Sequence, residues 1–95
     1  MRLRWTLEAL KDFEEIVGYV AQEDSQAARA IAVAIKAASK SLETLPNRGR
    51  PGFIEGTREL IIPRLPHFFV YRVHADQVQL LRILHQAQKW PRIVQ

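Results

Sequence analysis

Pro46-Asn47-Arg48-Gly49-Arg50-Pro51-Gly52-Phe53-Ile54-Glu55-Gly56 is the stretch in which the chain changes character. Three of the four glycines and two of the five prolines lie here. Neither residue type propagates a helix or a central strand, so this is a loop. Before it the apolar residues recur with the period of a helix. After it they cluster as β-branched and aromatic runs.

Upstream, Leu7, Leu10, Phe13, Val17 and Val20, with Ile16 beside them, recur at helical spacing. Lys11, Asp12, Glu14 and Glu15 take the opposite side, which predicts an amphipathic helix of about four to five turns. Thr6 suits its N-cap, and Glu8 favours the positive end of the helix dipole. The helix ends near Gln22-Glu23, and Asp24 or Ser25 caps a second one. That helix is rich in alanine, which has high helix propensity and permits close packing. Leu42 and Leu45 finish its stripe before Pro46. The short break predicts an antiparallel helical hairpin. Arg2-Leu3-Arg4-Trp5 alternates polar and apolar, as a short strand does.

Downstream, residues 58–65, 67–73 and 77–84 are β-type runs. Pro63 puts the first at an edge or a bulge. Ala75-Asp76 separates the last two, and such short connections favour antiparallel neighbours. The tail from His85 to Gln95 has weak helical character, broken by Pro91. The expected architecture is α+β in the order β-α-α-β-β-β. A helical hairpin packs on one side of a small, antiparallel-rich, four-stranded sheet, all within one domain spanning residues 1–95.

Composition bounds the function. The chain has 95 residues, is 47% hydrophobic and contains no cysteine. Disulfides and thiolate metal sites are excluded. No apolar run approaches the roughly 20 residues that span a bilayer. No signal-peptide core is visible, and the expected location is cytoplasmic, without a membrane partner. The net charge is +4, unevenly spread. Residues 1–47 carry six Lys/Arg against seven Asp/Glu, and residues 48–95 carry eight against three. Seven of those eight cations are arginine, the side chain suited to bidentate contact with phosphate and carboxylate. A basic half serves nucleic acid, an acidic groove or an acidic partner, or is a solvated face. No glycine-rich phosphate loop, metal-spaced His/Glu pair or nucleophile elbow occurs, so no cofactor and no metal are expected.

Several strings carry a resemblance. They are Trp5 ahead of Leu7-Glu8-Ala9, Ile16-Val17-Gly18-Tyr19-Val20, Leu45-Pro46-Asn47-Arg48-Gly49-Arg50 and Gly56-Thr57-Arg58-Glu59-Leu60. Phe69-Val70-Tyr71-Arg72-Val73 and Leu81-Arg82-Ile83-Leu84-His85-Gln86-Ala87-Gln88-Lys89-Trp90 complete the set. In this order they resemble the RelE/ParE toxin superfamily over nearly the whole chain. The resemblance implies the toxin of a type II toxin–antitoxin module, bound by an acidic antitoxin in a hetero-oligomer. RelE-like members cleave mRNA on the ribosome, and ParE-like members inhibit DNA gyrase.

Ribonuclease members resemble one another in an Arg three residues before the Tyr of the middle strand. Here Phe68 stands there. Some also present lysines along the preceding strand, where this chain has Glu59 and Ile61. A phosphorane charge needs cations, which none of these supplies. ParE-like members look closer, with an aromatic at that position and the ending Ile83-Leu84-His85. No catalytic residue is favoured on this reading, and Arg50, Arg58, Arg64, Arg82, His85 and Trp90 are candidates for target or antitoxin contact. On the alternative reading Arg58, Arg82 and His85 meet at strand ends as an endoribonuclease site, His85 serving as acid or base. Each also has a structural reading: Arg58 and Arg82 paired with carboxylates, His85 bonded to backbone, Trp90 packed. His67 and His74 read as surface residues and Trp5 as core. A third possibility is an inactive member kept as an antitoxin-binding repressor partner.

Overall fold

The computed structural model describes residues 1–88 and 90. The order of elements is β1 (Arg2–Trp5), α1 (Leu7–Ala21), α2 (Ser25–Thr44), β2 (Arg50–Pro51), β3 (Arg58–Ile61), β4 (His67–His74) and β5 (Gln77–His85). The sheet runs β1-β5-β4-β3-β2. β1 lies parallel to β5, and every other pair is antiparallel. The expected order holds, with one addition: Arg50 and Pro51, placed in a loop from sequence, form a two-residue edge strand on Glu59 and Arg58. Their proline and glycine surroundings hide so short a strand from any periodicity. The 58–65 run stops at Ile61, before Pro63, and Arg64 turns with φ +67°. Residues 86–88 form a turn rather than a helix, and Lys89 and residues 91–95 lie outside the described residues.

Both helix starts are side-chain caps. The Thr6 hydroxyl accepts from the Ala9 N–H at 3.2 Å. Asp24, not Ser25, caps α2, accepting from the N–H groups of Gln26 and Ala27 at 3.0 Å. α1 is rotated from the face its leucines suggest. Ala9 is fully buried, Phe13 and Ile16 pack at the rim of the core, and Leu7 and Leu10 are exposed. Asp12, expected on the solvent side, faces β5. The reason is the edge of β5. Its outer side is paired with β1 only as far as Trp5 opposite Leu80. Beyond that point Leu81 is an extra residue in the pairing with β4, which passes from Leu80 opposite Tyr71 to Arg82 opposite Val70. α1 takes over the exposed edge. The Thr6 N–H donates to Leu80 O, the Thr6 hydroxyl to Leu81 O, and the Ile83 N–H to the Asp12 carboxylate at 2.9 Å. Unpaired strand edges invite foreign strands, and here a helix N-terminus closes one.

The core lies between helices and sheet. Ile35, Ala38 and Leu42 of α2 and Ala9 of α1 meet Leu60, Phe69, Tyr71, Val78, Leu80 and Ile83. Trp5 meets Phe13 and Phe69 edge to face. Tyr71 secures the loop after α2: its hydroxyl donates to Pro46 O and accepts from the Gly49 N–H, both at 2.8 Å. The contact requires glycine, since a Cβ at residue 49 would stand 2.7 Å from the Tyr71 oxygen. The opposite face of the sheet carries no helix among the described residues. Phe68, Val70 and Leu84 form a small second cluster there, packed against Leu81 and Trp90.

Candidate functional site

The helix-free face of the sheet holds a cleft of about 370 Å³. β3 contributes Glu59 and Ile61, β4 contributes Phe68, and Gln86, Gln88 and Trp90 close one side. Arg50 and Phe53 close the other. Alternation along each strand puts these side chains together, because residues two apart share a face and Ile61 is directly opposite Phe68. Thus the three positions at which ribonuclease-like cations were sought, 59, 61 and 68, converge on one cleft, and the residues there are a carboxylate, an isoleucine and a phenylalanine.

The charge in the cleft is spent internally. Glu59 is buried, accepting from Arg50 Nη2 at 3.1 Å and from the Phe53 N–H at 3.1 Å. The pair folds the β2–β3 loop down and leaves Phe53 exposed at the cleft mouth. Among the described residues the cleft contains no histidine, tyrosine or lysine, and its one carboxylate, Glu59, is buried and already held by Arg50 and the Phe53 N–H.

Arg58, Arg82 and His85 do not meet, contrary to the strand-end arrangement expected for an endoribonuclease. β4 separates Arg58 from β5, and Arg58 instead stands opposite Tyr71, donating to the carbonyls of Gly49 at 2.8 Å and Asn47 at 3.4 Å. Arg82 turns to α1 and grips Asp12 through Nε at 2.8 Å and Nη2 at 3.1 Å. That hydrogen bond, against the opposing pull of desolvation, raises the Arg82 pKa. His85 sits at the far end of β5, its Nδ1 accepting from the Ala87 N–H at 2.9 Å. It pairs across the strands with His67, rings edge to face at 5.2 Å. His67, expected on the surface, is half-buried, with Nδ1 enclosed and without a partner in the structure. Burial, and then the proximity of His85, lowers its pKa. Of the other candidates, Arg50 and Trp90 belong to the cleft, and Arg64 is exposed in the β3–β4 turn.

Asp12 is the residue the sequence did not reveal. Its place in a run of charges reads as a solvated face, and only the handover of the β5 edge from β1 to α1 gives it partners. No cluster of three or more metal-ligating side chains occurs among the described residues, and no described helix is long and apolar enough to cross a membrane.

A helical hairpin over one face of a five-stranded mixed sheet is the architecture that the sequence resemblance implies. The family model for the ParE toxin of the type II parDE toxin–antitoxin system matches residues 3–90, and the chain belongs to that family. It is 39% identical over 93 residues to the protein Y4kP of Sinorhizobium fredii, covering 98% of this chain and 96% of that one. It is 33% identical over 84 residues to toxin RelE2 of Caulobacter vibrioides, covering 88% and 93%. A solved structure of the chromosomal ParDE system from P. aeruginosa superposes with a TM-score of 0.83 at 30% identity, covering 90% of this chain and 95% of that one.

Proposed function

We propose that this type II toxin acts by inhibiting DNA gyrase, without catalytic residues of its own, and is neutralised by an acidic antitoxin. The observation that carries the reading is the cleft. The place where a ribonuclease of this fold concentrates cations here holds Phe68, Ile61 and the Arg50–Glu59 pair. Among the described residues of the cleft a phosphorane charge finds no unpaired cation, and a carboxylate raises the barrier rather than lowering it. The one proton-transfer group among the described cleft residues, the Glu59 carboxylate, is buried and held by Arg50 and the Phe53 N–H rather than free for a 2′-OH.

Antitoxin binding is supported on the helical side. Trp5, Leu10 and Phe13 line an apolar groove of about 470 Å³ flanked by Lys36 and Lys40. Leu10 is 44% exposed. An amphipathic acidic segment would bury this surface and satisfy its lysines. The ParDE structure that this chain resembles is that of a toxin–antitoxin system.

The test is supercoiling of relaxed plasmid by purified gyrase with added toxin. Loss of supercoiling, or gyrase-dependent linear DNA, supports the proposal. Unimpeded supercoiling at a large molar excess of folded toxin removes it. The second reading, ribosome-dependent mRNA cleavage, is favoured by the likeness to toxin RelE2. It requires cleaved mRNA on translating ribosomes, abolished by His85→Ala with the fold retained. Normal growth on expression of the toxin alone would instead identify an inactive, antitoxin-binding member.

A further inference from the structure

The helix-free face of the sheet has a second region, at the β1 end. Strand register places Arg4 beside Gln79 and Gln79 beside Arg72, with Arg2, Gln77 and His74 as the adjoining row. Registered neighbours point to the same face. Leu3 and Trp5 turn to the helices, so Arg2 and Arg4 turn away from them. Arg72 donates from Nε to Gln79 Oε1 at 2.6 Å, and its two terminal nitrogens have no hydrogen-bond partner among the described residues. Arg2, Arg4, Arg72 and His74 are all exposed. None of these arginines forms an ion pair among the described residues, whereas Arg50 and Arg82 both do. Asp76, in the hairpin turn past the second row, pairs with none of them.

We propose that this platform binds the sugar–phosphate backbone of duplex DNA. Three unpaired guanidinium groups interleaved with amide side chains offer only hydrogen-bond donors and acceptors, the chemistry of backbone contact. The only ring in the rows is the exposed His74 imidazole, and no phenylalanine, tyrosine or tryptophan stands there as a platform for successive unpaired bases, which favours a duplex over a single strand. The rows contain no apolar side chain that a bound peptide would bury, which favours phosphate over an acidic peptide. Arg2 and Arg4, two residues apart on a strand, stand about 6.6 Å apart. That spacing is on the order of the separation between adjacent phosphates of one strand, so each guanidinium can take its own phosphate. The choice of DNA over RNA as the polyanion rests on the gyrase reading, since gyrase is itself DNA-bound. Contact with the same duplex would fix the orientation of the toxin on its target.

The experiment is fluorescence anisotropy of a labelled 20-base-pair duplex against the full-length toxin, without gyrase, across a salt series. The wild type is expected to bind with a slope of log K against log salt near −2.7, roughly 0.9 for each of three phosphates. Arg4→Gln with Arg72→Gln is expected to flatten the slope by about 2 and weaken binding about tenfold or more at low salt. These side chains are exposed, so circular dichroism of the variant should match the wild type. A control variant, Arg29→Gln with Lys11→Gln, removes the same charge from exposed helix positions and should leave the slope unchanged. Absence of salt-dependent binding, or equal effects of the two double variants, would overturn the platform. Binding of poly-glutamate but not duplex, with the same variant dependence, would overturn DNA as its ligand. A parallel supercoiling assay separates the two proposals: inhibition by a toxin that does not bind DNA removes only this one, and DNA binding without inhibition removes only the gyrase reading.

Discussion

Replacing Asp12 with alanine should destabilise this toxin more than any change at the arginine it grips. The Asp12 carboxylate accepts three hydrogen bonds, two from Arg82 and one from the Ile83 N–H. The Arg82 side chain is 35% exposed, so its charge is partly screened and can rehydrate; its share is about 1 kcal/mol. Ile83 is 2% exposed, and an orphaned buried N–H costs about 1–3 kcal/mol. The total is about 3 kcal/mol, against a stability of roughly 5–15 kcal/mol for a domain of this kind. At about 4–8 °C per kcal/mol for so small a domain, the melting temperature should fall by roughly 12–24 °C. Arg82→Gln leaves Asp12 on the Ile83 N–H and should cost only about 1 kcal/mol. Asp12→Asn, whose amide oxygen still accepts from Ile83, should fall near that smaller value. The assay is urea unfolding followed by circular dichroism on the three variants and the double variant, read as a thermodynamic cycle. Equal costs for Asp12→Ala and Arg82→Gln would refute the reasoning, because they would mean that the Ile83 N–H contributes nothing. The result also governs how toxicity data are read: activity lost in Arg82→Ala and equally in Asp12→Ala is lost through the fold.

Two further outcomes follow from the interior. Tyr71→Phe removes a donor to Pro46 O and an acceptor for the Gly49 N–H, and should cost about 2 kcal/mol by thermal or urea unfolding; a cost under about 0.5 kcal/mol would mean that water replaces the hydroxyl. His67 has a folded-state pKa lowered by burial and then by His85. The unfolded chain therefore binds the proton first as pH falls through about 6.5, and stability declines from there until the pH passes below the folded value. The melting temperature should drop between pH 7.5 and 5.5, and His67→Gln should flatten that decline; identical pH profiles would exclude His67 as its source.

The fold was largely legible in the sequence because its punctuation is chemical. Thr6 and Asp24 announce helix starts, the 46–56 stretch divides helix from strand, and Phe68 to Val73 can hardly be anything but strand. What escaped was set by neighbours distant in the chain. Leu7 and Leu10 outrank Ala9 in hydrophobicity, yet Ala9 takes the buried position, because the Thr6 and Asp12 bonds to β5 fix the rotation of α1. The cleft was legible as a pattern of substitutions at residues 59, 61 and 68, while the Arg50–Glu59 closure depends on a two-residue strand that no period reveals. Arg2 and Arg4 lie in the half of the chain without excess positive charge. Only the parallel pairing of β1 with β5 carries them to Arg72.

That same pairing sets a timetable for synthesis. Trp5 waits for Leu80, and at roughly 5–20 residues per second a ribosome needs about 4–15 s to make the intervening chain. Until then the hairpin of α1 and α2 has no sheet to cover its apolar side. The nascent toxin thus passes through an interval in which it is unfinished, sticky and open to whatever protein is waiting beside the ribosome.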